Sequence, residues 1–129
     1  MRKKPKVLAL DFGTQRIGLA LSYDSLAEPL EIIKNDNAAI DYIKGLCHLH
    51  QVERILIGLS EQKTAELTRQ FGRKLKAATF IPVGLYDETL STQRARQRLR
   101  ESPAKKSKRR QPVDHFAAQE FLQEFLDSI

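Results

Sequence analysis

The sequence predicts an α/β fold, a five-stranded mixed sheet with helices on both faces. Two short aliphatic runs, Lys6–Asp11 (KVLALD) and Arg54–Gly58 (RILIG), have the length and content of strands buried on both faces, as in a parallel pair. Around them, strand-length runs alternate with segments whose apolar residues recur at helical spacing. The order reads β-β-β-α-β-α-β-α-α: a meander, then strand–helix alternation, which layers helices over the sheet.

Each element has its own warrant. Arg16–Tyr23 (RIGLALSY) is a second strand, joined to the first by Phe12-Gly13-Thr14-Gln15, a tight turn in which Gly13 is expected at positive φ. Leu30–Lys34 is a short third strand. Asn35-Asp36-Asn37 offers N-caps to a helix whose apolar face is Ile40, Ile43, Leu46 and Cys47. A second helix runs from about Glu61 to Ala78, with Leu67, Phe71 and Leu75 on one stripe. Phe80–Tyr86 is a fifth strand, and Pro82, which cannot donate to a ladder, assigns it to an edge. A helix from Leu90 to Glu101 has little apolar face and displays arginines, and Ser102–Gln111 is a basic loop. Pro112 then opens a last helix with Phe121, Leu122, Phe125, Leu126 and Ile129 facing the core. A right-handed crossover from the third strand lays Arg54–Gly58 parallel to the first, predicting the spatial order third, second, first, fourth, fifth.

A length of 129 residues suits one domain spanning 1–129. Hydrophobic residues at 41% and charged residues at 29% are the balance of a soluble protein. No run approaches the ~20 apolar residues of a membrane span, so no membrane role is expected. Cys47 is the sole cysteine. It allows no intrachain disulfide, excludes a four-cysteine zinc site, reads as a core residue and fits a cytoplasmic location. The net charge of +6 is concentrated: Arg94 to Arg110 holds nine bases against Glu101, a net of +8, which leaves the rest of the chain at −2. Such a block attracts polyanions. Arg94, Arg98, Lys105, Lys106, Lys108, Arg109 and Arg110 are therefore expected to contact nucleic acid, against the plainer reading of a solvated loop.

Three acids fall where the strands should end. Asp11 closes the first strand, Asp87-Glu88 closes the fifth, and Asp114 opens the last helix. In open α/β sheets ligands gather outside the carboxyl ends of the parallel strands. Hard carboxylate oxygens suit Mg²⁺ or Mn²⁺. Two such ions ~4 Å apart can activate water and stabilise the leaving oxygen of a phosphodiester. Each acid also has a plain reading: a turn residue for Asp11, a surface acid for Glu88, a helix-dipole partner for Asp114. The joint placement of the three is what points to a metal site.

Leu8–Ser22 (LALDFGTQRIGLALS) closely resembles the opening of the YqgF family, Holliday-junction-resolvase-like nucleases of ribonuclease H-like fold. Ile55–Ser60 (ILIGLS), Pro82–Thr92 (PVGLYDETLST) and Val113–Ala118 (VDHFAA) match its other landmarks in order, so the resemblance covers essentially the whole chain. It implies a ribonuclease H-like fold and a hydrolase acting on ester bonds. The implied site acids, catalytic and metal-binding, are Asp11, Glu88 and Asp114, with two divalent ions, Mg²⁺ or Mn²⁺. The implied partner is nucleic acid, a precursor of small-subunit ribosomal RNA processed at its 5′ end, or a branched DNA. Arg16, retained from the motif, would hold a phosphate near Asp11. Three departures stand out: Gln15 where the family has Lys, Thr89 where it has Arg after the second acid, and no longer polar loop after Gly58-Leu59-Ser60. They alter two phosphate-side contacts and one wall of the cleft.

Two rival readings come from other classes. Asp11-Phe12-Gly13-Thr14 also resembles the phosphate-binding hairpin of actin-like ATPases, which need a second lobe that this length does not supply. A non-catalytic RNA-binding factor would keep the basic surface and lose turnover. His48 and His50 do not face each other on their helix and read as structural; His115, beside Asp114, could orient a water or a phosphate.

Overall fold

The computed structural model describes residues 4–59, 62–87 and 115–129. The expected helix Leu90–Glu101, the basic loop Ser102–Gln111 and the opening of the last helix at Pro112 lie outside them. Five strands, β1 (Val7–Phe12), β2 (Arg16–Tyr23), β3 (Leu26–Lys34), β4 (Arg54–Leu59) and β5 (Val83–Asp87), form one sheet in the order β3-β2-β1-β4-β5. β1 pairs antiparallel with β2 and parallel with β4, and β5 closes the sheet parallel to β4. Three described helices accompany it: α1 (Ala39–His50), α2 (Gln62–Thr79) and α3 (His115–Ser128).

Strict alternation along the strands separates two cores. Leu8, Leu10, Phe12, Ile17, Leu19, Leu21, Ile55 and Ile57 point to one face, where Ile43 and Cys47 of α1 and Phe71 and Leu75 of α2 cover them. Val7, Ala9, Ala20 and Leu56 point to the other, under Ala118, Phe121, Leu122 and Leu126 of α3. The small side chains on this second face let α3 sit close, with Phe121 stacked on Tyr86 of β5 at 5.7 Å between ring centroids. All six residues of β1 are buried, as befits a central strand covered on both sides.

Several details differ from the sequence reading, each for a local reason. β3 begins at Leu26, because Asp24, at φ 58°, turns the chain in a two-residue hairpin directly after β2. Pro29 is tolerated inside β3 because that strand is an edge. Gly13 does not adopt positive φ; no described glycine does. The β1–β2 connection has three residues and closes with Gly13 N–H donating to the Arg16 carbonyl at 2.9 Å, so a two-residue primed turn is not needed. The N-cap of α1 is Ala38, without a side-chain cap, and the Asp36 carboxylate instead accepts the Ala38 N–H at 3.0 Å. On α2 the buried stripe is Thr68, Phe71 and Leu75, and Leu67 sits on its rim, 47% exposed.

At the other end of α2, Phe80 lies outside β5. It terminates the helix in the left-handed conformation at φ 58°, its N–H returning to the Lys76 carbonyl, and β5 begins only after Pro82. Ile129 lies past the end of α3 and is half exposed, because the helix stops at Ser128.

Candidate functional site

Asp11 is the penultimate residue of β1, and alternation points its side chain to the α3 face. Its pairing partners are Gly18 on β2 and Gly58 on β4. Directly paired residues share a face, so the carboxylate stands between two positions that have no side chain. Asp11 is nevertheless only 6% exposed. A carboxylate held that deep needs hydrogen bonds or a cation to offset its desolvation, and Asp11 does engage a partner in the structure. The same cross-strand row continues from Gly58 to Tyr86, and the next pairs Leu59 with Asp87. The carboxyl end of β5 therefore lies two strand spacings from β1, about 10 Å.

Of the expected acids, the structure describes only Asp11. Glu88 and Asp114 lie outside the described residues, immediately after β5 and immediately before α3, and among the described residues no cluster of three metal-ligating side chains occurs. What the fold does contribute is the frame. β1 and β5 are parallel to β4 and end on the same side of the sheet, the side to which the sequence assigns Asp11 and Glu88. His115, the first residue of α3, has a buried Nδ1 with no hydrogen-bond partner among the described residues, its ring tilted against Phe116 at 4.5 Å. Orphaned buried nitrogens are rare in native proteins.

Arg16 is exposed at the start of β2, and its cross-strand partner is Lys34 at the end of β3. Two like charges in directly opposed positions repel, and neither has an ion-pair partner among the described residues. Arg94, Arg98, Lys105, Lys106, Lys108, Arg109 and Arg110 lie outside the described residues. His48 and His50 sit in the last turn of α1, at its carbonyl end, away from Asp11. Cys47 is buried in the α1–α2 core, and burial pushes its thiol up from 9.0 to about 11. No described helix is long and apolar enough to cross a membrane.

Two site features escaped the sequence reading. One is Gly58 as the second flank of Asp11, which only the parallel register reveals. The other is a groove on the far side of the hairpin, lined by Phe12, Thr14, Asn35 and one side of α2. Its residues come from three separated segments that only the fold brings together.

Comparison with known proteins gives this frame a lineage. The "Putative pre-16S rRNA nuclease" of Moorella thermoacetica is 36% identical over 135 residues, covering 96% of each chain. That of Syntrophus aciditrophicus is 38% identical over 96% of this chain and 89% of its own. That of Protochlamydia amoebophila is 34% identical over 99% of both. Among solved structures, Thermus thermophilus RuvC in complex with a Holliday junction substrate superposes with a TM-score of 0.51 over 65% of each chain at 18% identity, a likeness of fold. Residues 5–128 match the family model described as RuvX, Holliday junction resolvase. This chain therefore belongs to the RuvX family, nucleases of ribonuclease H-like fold.

Proposed function

We propose that residues 1–129 act as one metal-dependent nuclease domain that processes the 5′ end of pre-16S ribosomal RNA in the cytoplasm, with Asp11, Glu88 and Asp114 as its catalytic acids. The observation that carries this reading is the Asp11 carboxylate, buried at the carboxyl end of β1 between Gly18 and Gly58. A hard, desolvated oxygen donor with bare backbone on both sides fits Mg²⁺ or Mn²⁺ and leaves space for a phosphate. Glu88 and Asp114, next to β5 and α3, are the natural second and third ligands. A bound pair of ions would supply water activation and charge stabilisation at the scissile phosphate. The protein's own part is to fix the carboxylates, keep the site close to dry, and hold the substrate backbone. Arg16 and the basic residues Arg94, Arg98, Lys105, Lys106, Lys108, Arg109 and Arg110 serve the last task without reading sequence. The names of the relatives point to the RNA substrate.

A DNA junction is the second reading, favoured by the description of the family model. The test incubates purified protein with Mn²⁺ or Mg²⁺ against precursor ribosomal RNA, single-stranded RNA and a four-way DNA junction, with chelated controls. Cleavage of the precursor RNA, lost on chelation, is the expected result. Cleavage of the junction alone assigns the second reading. Binding with no metal-dependent cleavage of any of them overturns the nuclease proposal and leaves an RNA-binding factor.

A further inference from the structure

We infer that the groove behind the β1–β2 hairpin is a subsite for one unpaired nucleotide flanking the scissile position, a reading that rests on the nuclease proposal above. Three independent observations converge on it. The first is continuity. Phe12, which directly follows Asp11, turns to the opposite face of the sheet and, with Phe71 of α2 at 5.0 Å between ring centroids, forms the floor of this groove. The groove and the carboxylate thus lie on opposite faces of the sheet at the same end of β1, beside the hairpin tip Gly13–Gln15. A polynucleotide held at Asp11 needs only to cross that tip to enter it.

The second observation is charge. On α2, Arg69 and Arg73 both lean on Glu66, at 3.9 and 3.3 Å. Lys74 lines the groove and has no acidic partner among the described residues. On the Asp11 side of the same tip stand Arg16 and Lys34, opposed across the β2–β3 ladder and also without an acid. Three cations without an acidic partner among the described residues stand around one hairpin and describe a path for consecutive phosphates, and a polyanion laid along it would relieve the Arg16–Lys34 repulsion.

The third observation is the lining. The groove has a volume of about 270 Å³. That is just under the ~300 Å³ at which small-molecule pockets begin, and suits one nucleotide unit rather than a larger ligand. Leu67, half exposed on the rim, offers an apolar edge to a base. Thr14, Asn35 and Gln70 offer a hydroxyl and two amides. The Asn35 side chain is already fixed, its Nδ2 donating to the Gly13 carbonyl at 2.7 Å, so its Oδ1 is presented as a positioned acceptor. An apolar contact surface, positioned amides and a phosphate-seeking cation are what single-stranded nucleic acid requires. Base-paired strands use them poorly, because their Watson–Crick edges are paired and their base faces stacked.

The test measures affinity by fluorescence anisotropy, using one RNA duplex in three forms: blunt, with a short single-stranded RNA tail, and with a DNA tail of the same sequence. Asp11→Asn is the background throughout, to prevent turnover. The expected result is that a tail tightens binding by about tenfold, the scale of one base–side-chain contact. Lys74→Glu and, separately, Gln70→Ala should remove most of that gain, with the blunt duplex changed less than about twofold. Lys44→Glu makes the same charge change on α1 and should leave the tail gain intact. The tail that gains more identifies the sugar the groove accepts. No gain from either tail, or equal weakening of tailed and blunt duplex by Lys74→Glu, overturns the subsite. The nuclease proposal fails separately, on absent metal-dependent cleavage by the parent protein, so the two outcomes are distinguishable.

Discussion

The two faces of the sheet are built from different materials. Toward α1 and α2 the central strands present Leu8, Leu10, Ile17, Leu19, Leu21, Ile55 and Ile57, all fully buried, and two helices cover them. Toward α3 the same strands present Val7, Ala9, Asp11, Gly18, Ala20, Ser22, Leu56 and Gly58, with one described helix above. The first face is thick and wholly apolar. The second is thin, made of small residues, and carries the two buried polar side chains of the central strands, Asp11 and Ser22. Ser22 is satisfied locally, accepting the Val7 N–H at 2.7 Å and donating to the Pro5 carbonyl at 3.3 Å. Asp11 sits at the carboxyl end of β1. A fold of this size can hold a desolvated carboxylate because the opposite face supplies most of the apolar burial.

The largest expected effect that sharpens this contrast is on activity. Asp11→Asn should lower cleavage by roughly three orders of magnitude or more, since metal-assisted activation is worth several kcal/mol. Its melting temperature should equal or exceed that of the parent, because a site arranged for function gives up some stability. Paired single-turnover and thermal-melt measurements check both halves; a large loss of stability would make Asp11 a structural residue. Next comes Phe121→Ala, which empties the largest fully buried side chain among the described residues, on the thin face, and breaks its stack on Tyr86. It should cost about 4 kcal/mol in denaturant unfolding. Ala9→Leu should cost about 1–3 kcal/mol by overpacking beneath α3, where the small residue is what admits the helix. Were Ala9→Leu neutral, the close approach of α3 would not be what the small residues are for.

Two smaller effects belong to the thick face. The Cys47 thiol is pushed up to about 11 by burial, so the fold favours its protonated form. A group raised in the folded state stabilises fully below its unfolded value and loses that contribution as pH rises through the folded one. The stability of the parent relative to Cys47→Ala should therefore fall between about pH 9 and pH 11, measurable by chemical denaturation along a pH series. Smallest is Phe80→Gly. Phe80 holds φ 58° and is 89% exposed, so it strains the backbone and packs little. Glycine should stabilise by about 1 kcal/mol.

The thick face was the more legible one. Its strands announce themselves as aliphatic runs, and a right-handed crossover leaves one strand order, which the sheet adopts. Elements governed by a single residue's backbone read less well. The Asp24 turn lengthened β3, and Phe80 shortened β5, because neither residue advertises a left-handed conformation. On the thin face, Asp11 was legible from its place at a strand end and from the resemblance of the segment around it. Gly58 as its second flank was not, since Gly18 and Gly58 are 40 residues apart and meet only through register. The groove was invisible for the same reason: Thr14, Asn35 and Lys74 share no periodicity.

The glutamines of α3 carry a consequence for how the chain matures. Ala27 lies on the edge strand β3, and its N–H donates to Gln123 Oε1 at 2.9 Å while its carbonyl accepts from Gln119 Nε2 at 3.1 Å. Gln123 Nε2 also reaches the Ser25 carbonyl at 2.8 Å. These contacts span 92 to 98 residues, among the longest loops the fold must close. During synthesis the β1–β3 meander emerges well before α3 exists, with the backbone of its outer strand unsatisfied and its alanine-lined side uncovered. Such an edge is a template for pairing with another chain. Docking of α3 caps the edge and covers the alanine-lined face together, which places the removal of both exposed surfaces late in folding.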